Sequence, residues 1–282
     1  MKEIRIAKNA GFCFGVKRAV EIANNEKNKR TYTLGPLIHN DDLVNKLKES
    51  NIYSIEVDNI NELQSTDSVV IRSHGVTAEV HQKLKSSNAR IVDATCPYVL
   101  SIHKKVMRYF NEGYQIIIVG DKNHPEVIGI NGWCNNTAII TKTGDELTDI
   151  SDKVCVVAQT TERLINYDKV VEKIKLKNIE LITFNTICNA TKERQESAEE
   201  LSKTVDLMIV IGGKKSSNSR KLFEICKINC NNTIFIENKK ELPLDLLKDE
   251  KNKIIGITAG ASTPDWVTND VIDKIQSIDK DL

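Results

Sequence analysis

The chain has 282 residues, 40% of them hydrophobic and 28% charged, a composition typical of a globular protein with one large core or two to three small domains. The formal net charge of +1 gives no bulk attraction to nucleic acid or membranes, and no apolar run approaches the roughly 18 residues of a membrane span. The start, MKEIRIAKNAG, lacks the apolar segment of a secretory signal. We therefore expect a cytoplasmic protein without nucleic-acid or membrane partners.

A strand-like run, a cysteine and a helix-like run follow one another three times along the chain. The first lead-in, IRIAKNAGFC, ends at Cys13; the second, RIVDATC, ends at Cys96; and the third, ELITFNTIC, ends at Cys188. Each lead-in is rich in β-branched and apolar residues, and each sequel has apolar residues on one helical face. The three cysteines therefore occupy equivalent positions, between a strand and the first turn of a helix.

Two further markers follow each cysteine in the same order. The first is a strand that ends in a glycine and opens a polar loop, at Gly35, Gly120 and Gly212. The second is a strand that ends in a polar cluster, in VVIRSHG, VCVVAQTT and IIGITAGAST. This order predicts an internal repeat of one small α/β unit.

The repeat predicts an α/β fold of three similar small domains, each with a four-stranded sheet, arranged with pseudo-threefold symmetry around a central site. The first domain is expected to cover residues 13–95, the second 96–187 and the third 188–282. The third repeat lacks a closing strand of its own. We therefore expect residues 1–12 to complete it.

All of these markers lie at the carboxyl ends of strands, where open α/β sheets bind their ligands. If the three domains turn those ends inward, their loops meet at one place. Besides the three thiols, the loops carry His39, His74, His124, Glu126, Gln159, Thr160, Thr161, Ser216, Ser217, Asn218 and Ser262. Hydroxyl, amide and imidazole groups beside helix N-termini suit a phosphate or diphosphate.

The chain has seven cysteines, an odd number, and no CxxC pair, so in a reducing cytoplasm we expect no disulfides. Three thiolates on one axis indicate a metal centre. Zinc would need a fourth ligand, whereas a four-iron cluster held by three cysteines would keep one iron open as a Lewis acid that also supplies electrons. Glu126 would then be a proton source. The other cysteines are interpreted as core residues: Cys134, Cys155, Cys226 and Cys230.

Several other residues have a simpler interpretation. Glu126 could instead only stabilise a helix N-terminus. His81 and His103 follow no strand end, so we interpret them as solvated or helix-packing residues. Trp133 is interpreted as packing, and the charged run TKERQESAEE as a solvated helix face.

Eight motifs together resemble one known family. They are AGFCFGVKRAVE, IRSHGV, VDATCP, HPEVIGINGW, QTT, NTICNATKERQ, SSNSRKL and AGASTPDWV. Their order and length are similar to those of the LytB/IspH family, whose members are 4-hydroxy-3-methylbut-2-enyl diphosphate reductases, the last enzyme of the methylerythritol phosphate route to isoprenoids. The similarity extends over essentially the whole chain, so we expect no C-terminal RNA-binding module of the kind that some bacterial members have.

The resemblance implies a [4Fe–4S] cluster with one open iron, held by Cys13, Cys96 and Cys188. It implies three catalytic residues, Glu126, Thr160 and His124, with Glu126 as a proton-relay acid that Thr160 assists. The implied substrate-binding residues are His39, His74, His124, Thr160, Thr161, Ser216, Ser217, Asn218 and Ser262, and Gln159 flanks them.

The implied reaction removes an allylic hydroxyl as water, with two electrons and two protons, and yields isopentenyl and dimethylallyl diphosphate. Ferredoxin or flavodoxin is the implied electron donor, and we expect a monomer. Two other functions stay open: a non-catalytic iron–sulfur redox sensor, and a zinc hydrolase with Glu126 as base. HPEV and SSNS favour the reductase over the sensor, because a sensor needs neither a proton source nor a phosphate site.

Overall fold

The structure is a computed structural model that describes residues 2–26, 30–38 and 41–280. In this part of the chain, twelve strands alternate with ten α-helices. The strands are β1 (Glu3–Ile6), β2 (Thr31–Leu34), β3 (Ile52–Ile55), β4 (Ser68–Ile71), β5 (Arg90–Asp93), β6 (Gln115–Val119), β7 (Ile139–Thr141), β8 (Lys153–Ala158), β9 (Glu180–Thr183), β10 (Leu207–Ile211), β11 (Thr233–Ile236) and β12 (Ile254–Ala259).

The helices are α1 (Phe14–Asn25), α2 (Asp41–Glu49), α3 (Ala78–Lys85), α4 (Pro97–Asn111), α5 (Pro125–Asn131), α6 (Leu164–Lys175), α7 (Asn189–Ser202), α8 (Ser217–Asn229), α9 (Leu244–Lys248) and α10 (Asp265–Lys280). Short 3-10 turns cover Val57–Glu62, Gly132–Cys134 and Lys239–Glu241. No helix in the described ranges is both long and apolar enough to cross a bilayer.

The chain divides into two compact units. The first unit combines Met1–Val16, Ile38–Asn45 and Asn189–Leu282, and the second combines Lys17–Leu37 and Lys46–Cys188. The second unit therefore contains most of what the sequence predicts as two separate domains. A boundary between residues 95 and 96 stays a prediction.

The first unit contains one parallel sheet in the order β1-β12-β10-β11. All five residues of β10 are buried, because helices cover both faces of the sheet. One face packs in a cluster with α10 residues such as Val271 and Ile275, and the other packs in a cluster with Ala198 of α7 and Leu222 of α8. The strand at the N-terminus, β1, is therefore the edge strand of this sheet.

The second unit contains two more parallel sheets, in the orders β3-β2-β4-β5 and β7-β6-β8-β9. The central strands β4 and β8 are mostly apolar with little alternation; all four residues of β4 and the last five of β8 are buried. Continuous apolar runs are typical of strands covered on both faces. The predicted fold class is confirmed: the protein is α/β, with three similar four-stranded parallel sheets.

Each sheet has the same relation to one of the three cysteines. The edge strand β1 leads to Cys13, the edge strand β5 leads to Cys96, and the edge strand β9 leads to Cys188. The strand next to each edge strand ends in a polar loop, as does the strand after that. The three sheets thus present equivalent loops at their carboxyl ends, where the candidate site residues lie.

Candidate active site

The three candidate ligand cysteines each stand directly before a helix. Cys13 precedes α1, Cys96 is the N-cap residue of α4, and Cys188 precedes α7. Pro97 occupies the first turn of α4, where its missing N–H costs no helical hydrogen bond. The first backbone N–H groups of a helix have no partner inside the helix, so each cysteine stands beside free hydrogen-bond donors.

The backbone N–H of each of these cysteines makes the same hydrogen bond. The Cys13 N–H donates to the Ala261 carbonyl at 3.1 Å, the Cys96 N–H to Ser73 at 3.0 Å, and the Cys188 N–H to Thr160 at 3.0 Å. Every acceptor lies two residues beyond the end of the neighbouring strand, β12, β4 or β8. The equivalence deduced from the sequence repeat therefore extends to the hydrogen bonds of the cysteine loops.

Exposure separates these cysteines from the other four. Cys13, Cys96 and Cys188 are partly exposed, whereas the remaining thiols are buried. Burial raises the pKa of the Cys155 and Cys226 thiols to about 12, and it also raises the pKa of Cys134. Buried thiols that resist ionisation are poor metal ligands, since the thiolate is the species that binds metal. The packing interpretation therefore fits Cys134, Cys155 and Cys226 by burial and by pKa, and it fits Cys230 by burial.

Glu126 and Thr160 form a closely coupled pair in the second unit. Glu126 lies in the first turn of α5 and is 2% exposed. Its two carboxyl oxygens accept hydrogen bonds from Thr160, one from the backbone N–H and one from the Oγ1 hydroxyl, both at 2.6 Å. The Thr160 carbonyl in turn accepts from Cys188. One residue thus connects the candidate acid to a candidate ligand cysteine.

His124 and His74 lie side by side at the start of α5. His124 is the N-cap residue, and its Nδ1 accepts a hydrogen bond from the Glu126 N–H at 3.2 Å. In the neutral ring this leaves the proton on Nε2, which is then a donor. The His74 ring meets the His124 ring edge to face, with centroids 5.3 Å apart. The structure therefore brings four predicted site residues together in this unit: His74, His124, Glu126 and Thr160.

Gln159 and Thr161 connect the loops beyond β6 and β8. Gln159 is fully buried; its Oε1 accepts from the Asp121 N–H at 3.0 Å, and its Nε2 donates to Thr161 Oγ1 at 2.9 Å. This bridge fixes the loop that leads from β6 into His124. Gln159 therefore has a structural role, because it joins the loop after β6 to the loop after β8.

In the first unit, the polar set surrounds the N-terminus of α8. Ser216, Ser217 and Asn218 are 6%, 5% and 4% exposed, and Ser216 caps the helix by accepting from the Ser219 N–H. Neither side-chain atom of Asn218 makes a hydrogen bond, nor does the buried Ser262 hydroxyl. Buried polar groups without partners are costly, so these groups point to a polar ligand. A helix N-terminus with amide and hydroxyl donors suits an anion.

Ser219 is a neighbour of this set that the sequence does not reveal. It is fully buried between the loops that follow β10 and β12. A Cβ at Gly212 would lie 2.3 Å from Ser219 Oγ, and a Cβ at Gly260 would lie 2.0 Å from it. The two glycines are therefore required for α8 to begin where it does.

The expectation that the run TKERQESAEE is a solvated helix face is wrong for one side of α7. Thr191, Arg194, Ala198 and Ser202 are buried at helical spacing, and Arg194 is only 2% exposed. Its Nη2 donates to the Gly11 carbonyl at 2.9 Å. The buried guanidinium therefore anchors the loop that ends in Cys13. Small residues every three to four positions are the signal that could have shown this face.

Two predicted features lie beyond what the structure tests. His39 is outside the described residues. Among the residues that are described, no three His, Cys, Asp or Glu side chains are grouped so that they could hold a metal ion. Cys13 belongs to the first unit, and Cys96 and Cys188 belong to the second. The convergence of the three thiols therefore stays a prediction.

A family model described as LytB protein matches residues 4–276. The chain belongs to the LytB family. Three clostridial relatives of this LytB-family chain are named 4-hydroxy-3-methylbut-2-enyl diphosphate reductase. The Clostridium perfringens strain 13 protein is 55% identical over 98% of this chain and 99% of its own length. The Clostridium acetobutylicum and Clostridium tetani proteins are 55% and 56% identical, but the chain spans only 44% of the length of each.

Two solved structures resemble the LytB-family chain along nearly its full length. One, of an (E)-4-hydroxy-3-methyl-but-2-enyl diphosphate reductase described as the terminal enzyme of the non-mevalonate pathway, is 43% identical with a TM-score of 0.72, covering 98% of this chain and 100% of that one. The other, the Plasmodium falciparum E-1-hydroxy-2-methyl-but-2-enyl-4-diphosphate reductase, is 28% identical with a TM-score of 0.87, covering 96% and 87%.

Proposed function

We propose that the chain reduces 4-hydroxy-3-methylbut-2-enyl diphosphate to isopentenyl and dimethylallyl diphosphate, the last step of the methylerythritol phosphate route. The name of the Clostridium perfringens relative, which matches over nearly its whole length, supports this activity. The reaction consumes two electrons and two protons and releases the allylic hydroxyl as water. Ferredoxin or flavodoxin is proposed as the electron donor, and a cytoplasmic monomer as the working form.

The observation that carries the proposal is the connection of Glu126, Thr160 and Cys188. Thr160 donates two hydrogen bonds to the Glu126 carboxyl group and accepts one from the Cys188 backbone. An acid held beside a candidate ligand cysteine is what a reductive loss of hydroxide requires, because hydroxide leaves readily only when it is protonated. A redox sensor would have no use for this acid.

We propose that Cys13, Cys96 and Cys188 hold a [4Fe–4S] cluster. Their partial exposure, their helix N-termini and their shared hydrogen-bond pattern fit thiolate ligands, and the four other thiols are buried. When bound, the cluster would supply the electrons and an open iron for the hydroxyl oxygen. The chain itself then has to bind the diphosphate, orient the allylic end and deliver protons.

Glu126 and Thr160 would deliver a proton to the leaving oxygen. The Thr160 hydroxyl has one hydrogen, which it donates to Glu126 Oε2, so its lone pairs remain available as acceptors. When Glu126 is protonated this hydrogen bond reverses: Glu126 donates its proton to Thr160 Oγ1, and the hydroxyl hydrogen of Thr160 passes to the substrate oxygen. The burial of both residues keeps bulk water away from the transfer.

The diphosphate would bind at the start of α8. The unpartnered Asn218 amide and Ser262 hydroxyl, with Ser216 and Ser217, support an anion there. His74 and His124, with Thr161 and His39, are proposed to line the remainder of the substrate site. The Nε2–H of neutral His124 would be a hydrogen-bond donor to a substrate oxygen.

Substrate turnover by anaerobically purified protein tests the proposal. The protein is loaded with iron and sulfide, reduced with a chemical donor such as dithionite-reduced methyl viologen, and given the allylic diphosphate. We expect both C5 diphosphates as products and a substrate-dependent change in the iron spectrum. A cluster that neither binds nor converts the diphosphate would instead identify a redox sensor. Zinc without acid-labile sulfide in the purified protein would identify a zinc enzyme.

A further inference from the structure

The loop of His74 approaches the helix of His124 and Glu126 unusually closely. A Cβ placed on Gly129, in the middle of α5, would lie 3.5 Å from the His74 carbonyl oxygen, an ordinary contact distance. A Cβ on Gly132, one turn further, would lie 2.3 Å from Thr77 Cβ, a distance at which the backbones have to separate. Gly132 therefore allows the loop and the helix to touch.

Trp133 adds a hydrogen bond at the same contact. Its Nε1–H donates to the Val76 carbonyl at 2.9 Å. The indole also packs against the core cluster that contains Ile102 of α4 and Ile130 of α5. The hydrogen bond to Val76 therefore ties a packed ring to the loop.

His103 of α4 packs against the same indole. Its ring stacks on Trp133 with centroids 5.4 Å apart and an angle of 24° between the planes. Gly75 covers the edge of the same imidazole: its φ is +71°, and a Cβ there would lie 2.6 Å from His103 Cε1. The loop that carries His74 is thus held between α4 and α5.

We propose that Gly132 and Trp133 are positioning residues that set the spacing between His74 and His124. The α5 helix has only seven residues, so the contact of the loop with Gly132, directly after the helix, controls where its first turn lies. That turn carries His124 and Glu126, and the loop carries His74 in ring contact with His124. The inference rests on the proposed function for its effect on catalysis, but the spacing itself can be measured independently.

The pair Gly132→Ala and Gly129→Ala tests the proposal with one chemical change at two positions, Gly129 inside α5 and Gly132 directly after its last residue. Gly132→Ala forces α5 and the loop apart, so we expect kcat/KM for the allylic diphosphate to fall about tenfold, mostly through KM. Affinity for inorganic diphosphate should stay within twofold of the wild-type value. Gly129→Ala should leave kcat/KM within about twofold. Equal effects of the two changes would overturn the proposal.

Histidine ¹⁵N NMR of the oxidised, cluster-loaded protein gives a readout that does not depend on turnover. The chain has five histidines, so the imidazole signals can be assigned with single His→Asn variants. Gly132→Ala should shift the His74 and His124 signals, and Gly129→Ala should not. If the wild type proves inactive, the proposed function fails, and the NMR comparison still decides the positioning role. Unchanged signals would overturn it.

Trp133→Phe is the second variant, should Gly132→Ala fail to fold. It removes the N–H that binds Val76 and keeps an aromatic ring for the stack on His103. We expect the same shift of the His74 and His124 signals and a rise in KM. Trp266→Phe, which is partly buried against the core cluster of the other unit, is the matched control and should change neither the signals nor KM. Signals that respond equally to both substitutions would contradict the proposal.

Discussion

Glu126 is held in a fixed orientation by hydrogen bonds before any proton transfer. A carboxyl group that is 2% exposed has to be hydrogen-bonded, and Thr160 satisfies both of its oxygens. His124, by accepting from the Glu126 N–H, caps the helix on which the acid stands. The backbone thus fixes the carboxyl group before any substrate binds.

Replacing Glu126 with Gln tests the acid directly. The amide keeps the size of the side chain but has no acidic proton, so we expect turnover to fall by about 10² to 10⁴, the usual contribution of a general acid. Cluster absorbance and substrate binding should remain. Rapid anaerobic kinetics and a binding titration measure these quantities.

Thr160 provides the control for this prediction. Thr160→Ser keeps the hydroxyl that donates to Glu126, and Thr160→Val removes it with little change in shape. The Ser variant should therefore stay close to wild type while the Val variant loses turnover. Near-normal turnover in Glu126→Gln would remove Glu126 from the proton path.

At the scale of elements, α8 begins at the proposed diphosphate site because two glycine loops make room for it. Ser219 lies between Gly212 and Gly260, which follow β10 and β12. The β-strands therefore set the position of the first helical turn, and with it the position of Ser216, Ser217 and Asn218.

Gly260→Ala should displace this turn, because the new Cβ would lie 2.0 Å from Ser219 Oγ. We expect affinity for inorganic diphosphate to fall about tenfold, or ~1.4 kcal/mol, in calorimetric titration. Adding Ser219→Ala removes the clashing oxygen and should restore most of the affinity, while Ser219→Ala alone should bind normally. Unchanged affinity in Gly260→Ala would show that the start of α8 does not depend on this contact.

The α4 helix contains a buried imidazole whose charge opposes folding. Burial lowers the pKa of His103 to about 4, against the smaller opposing effect of Asp93 and with a further lowering by His81. Below the ordinary histidine pKa of about 6.5, the His103 imidazole binds a proton in the unfolded chain but not in the folded chain. Stability should therefore fall as the pH decreases from about 6.5 to about 4, by roughly 3 kcal/mol from this group.

Urea unfolding across this pH range measures the effect. His103→Phe keeps a ring against Trp133 and cannot be protonated, so its stability should depend less on pH than that of the wild type. His81→Phe removes only the smaller contribution of His81 to the pKa of His103, so this variant should keep most of the wild-type dependence. Parallel pH curves for wild type and His103→Phe would contradict the assignment of this acid sensitivity to His103.

For the whole molecule, the repeat made the fold predictable. The lead-in strands β1, β5 and β9 are located by the cysteine that follows each of them, and the buried strands next to them are located as apolar runs. The opposite edge strands β3, β7 and β11 were not located. β3 has an exposed Tyr53 and Ser54 in its middle, and β7 has only three residues, so neither gives a periodic signal.

The candidate site was predictable where a residue stands in a repeated position, as Cys13, Cys96 and Cys188 do. The sequence does not reveal residues whose role depends on a contact with a residue far along the chain. Arg194 acquires its role from the Gly11 carbonyl, and Ser219 from Gly260. Trp133, which the sequence suggested only as packing, has an added hydrogen bond to Val76. Contacts of this kind depend on tertiary structure and leave no local pattern.

The most direct test of the account is the iron and acid-labile sulfide content of anaerobically reconstituted cysteine-to-serine variants. Each single replacement of Cys13, Cys96 or Cys188 should abolish or degrade the cluster, because it removes one of three thiolate ligands. Replacing the buried Cys134 or Cys226 should leave four irons and four sulfides per chain, as a [4Fe–4S] cluster requires. A full cluster in all three of the first variants would contradict the assignment of these sulfurs as its ligands.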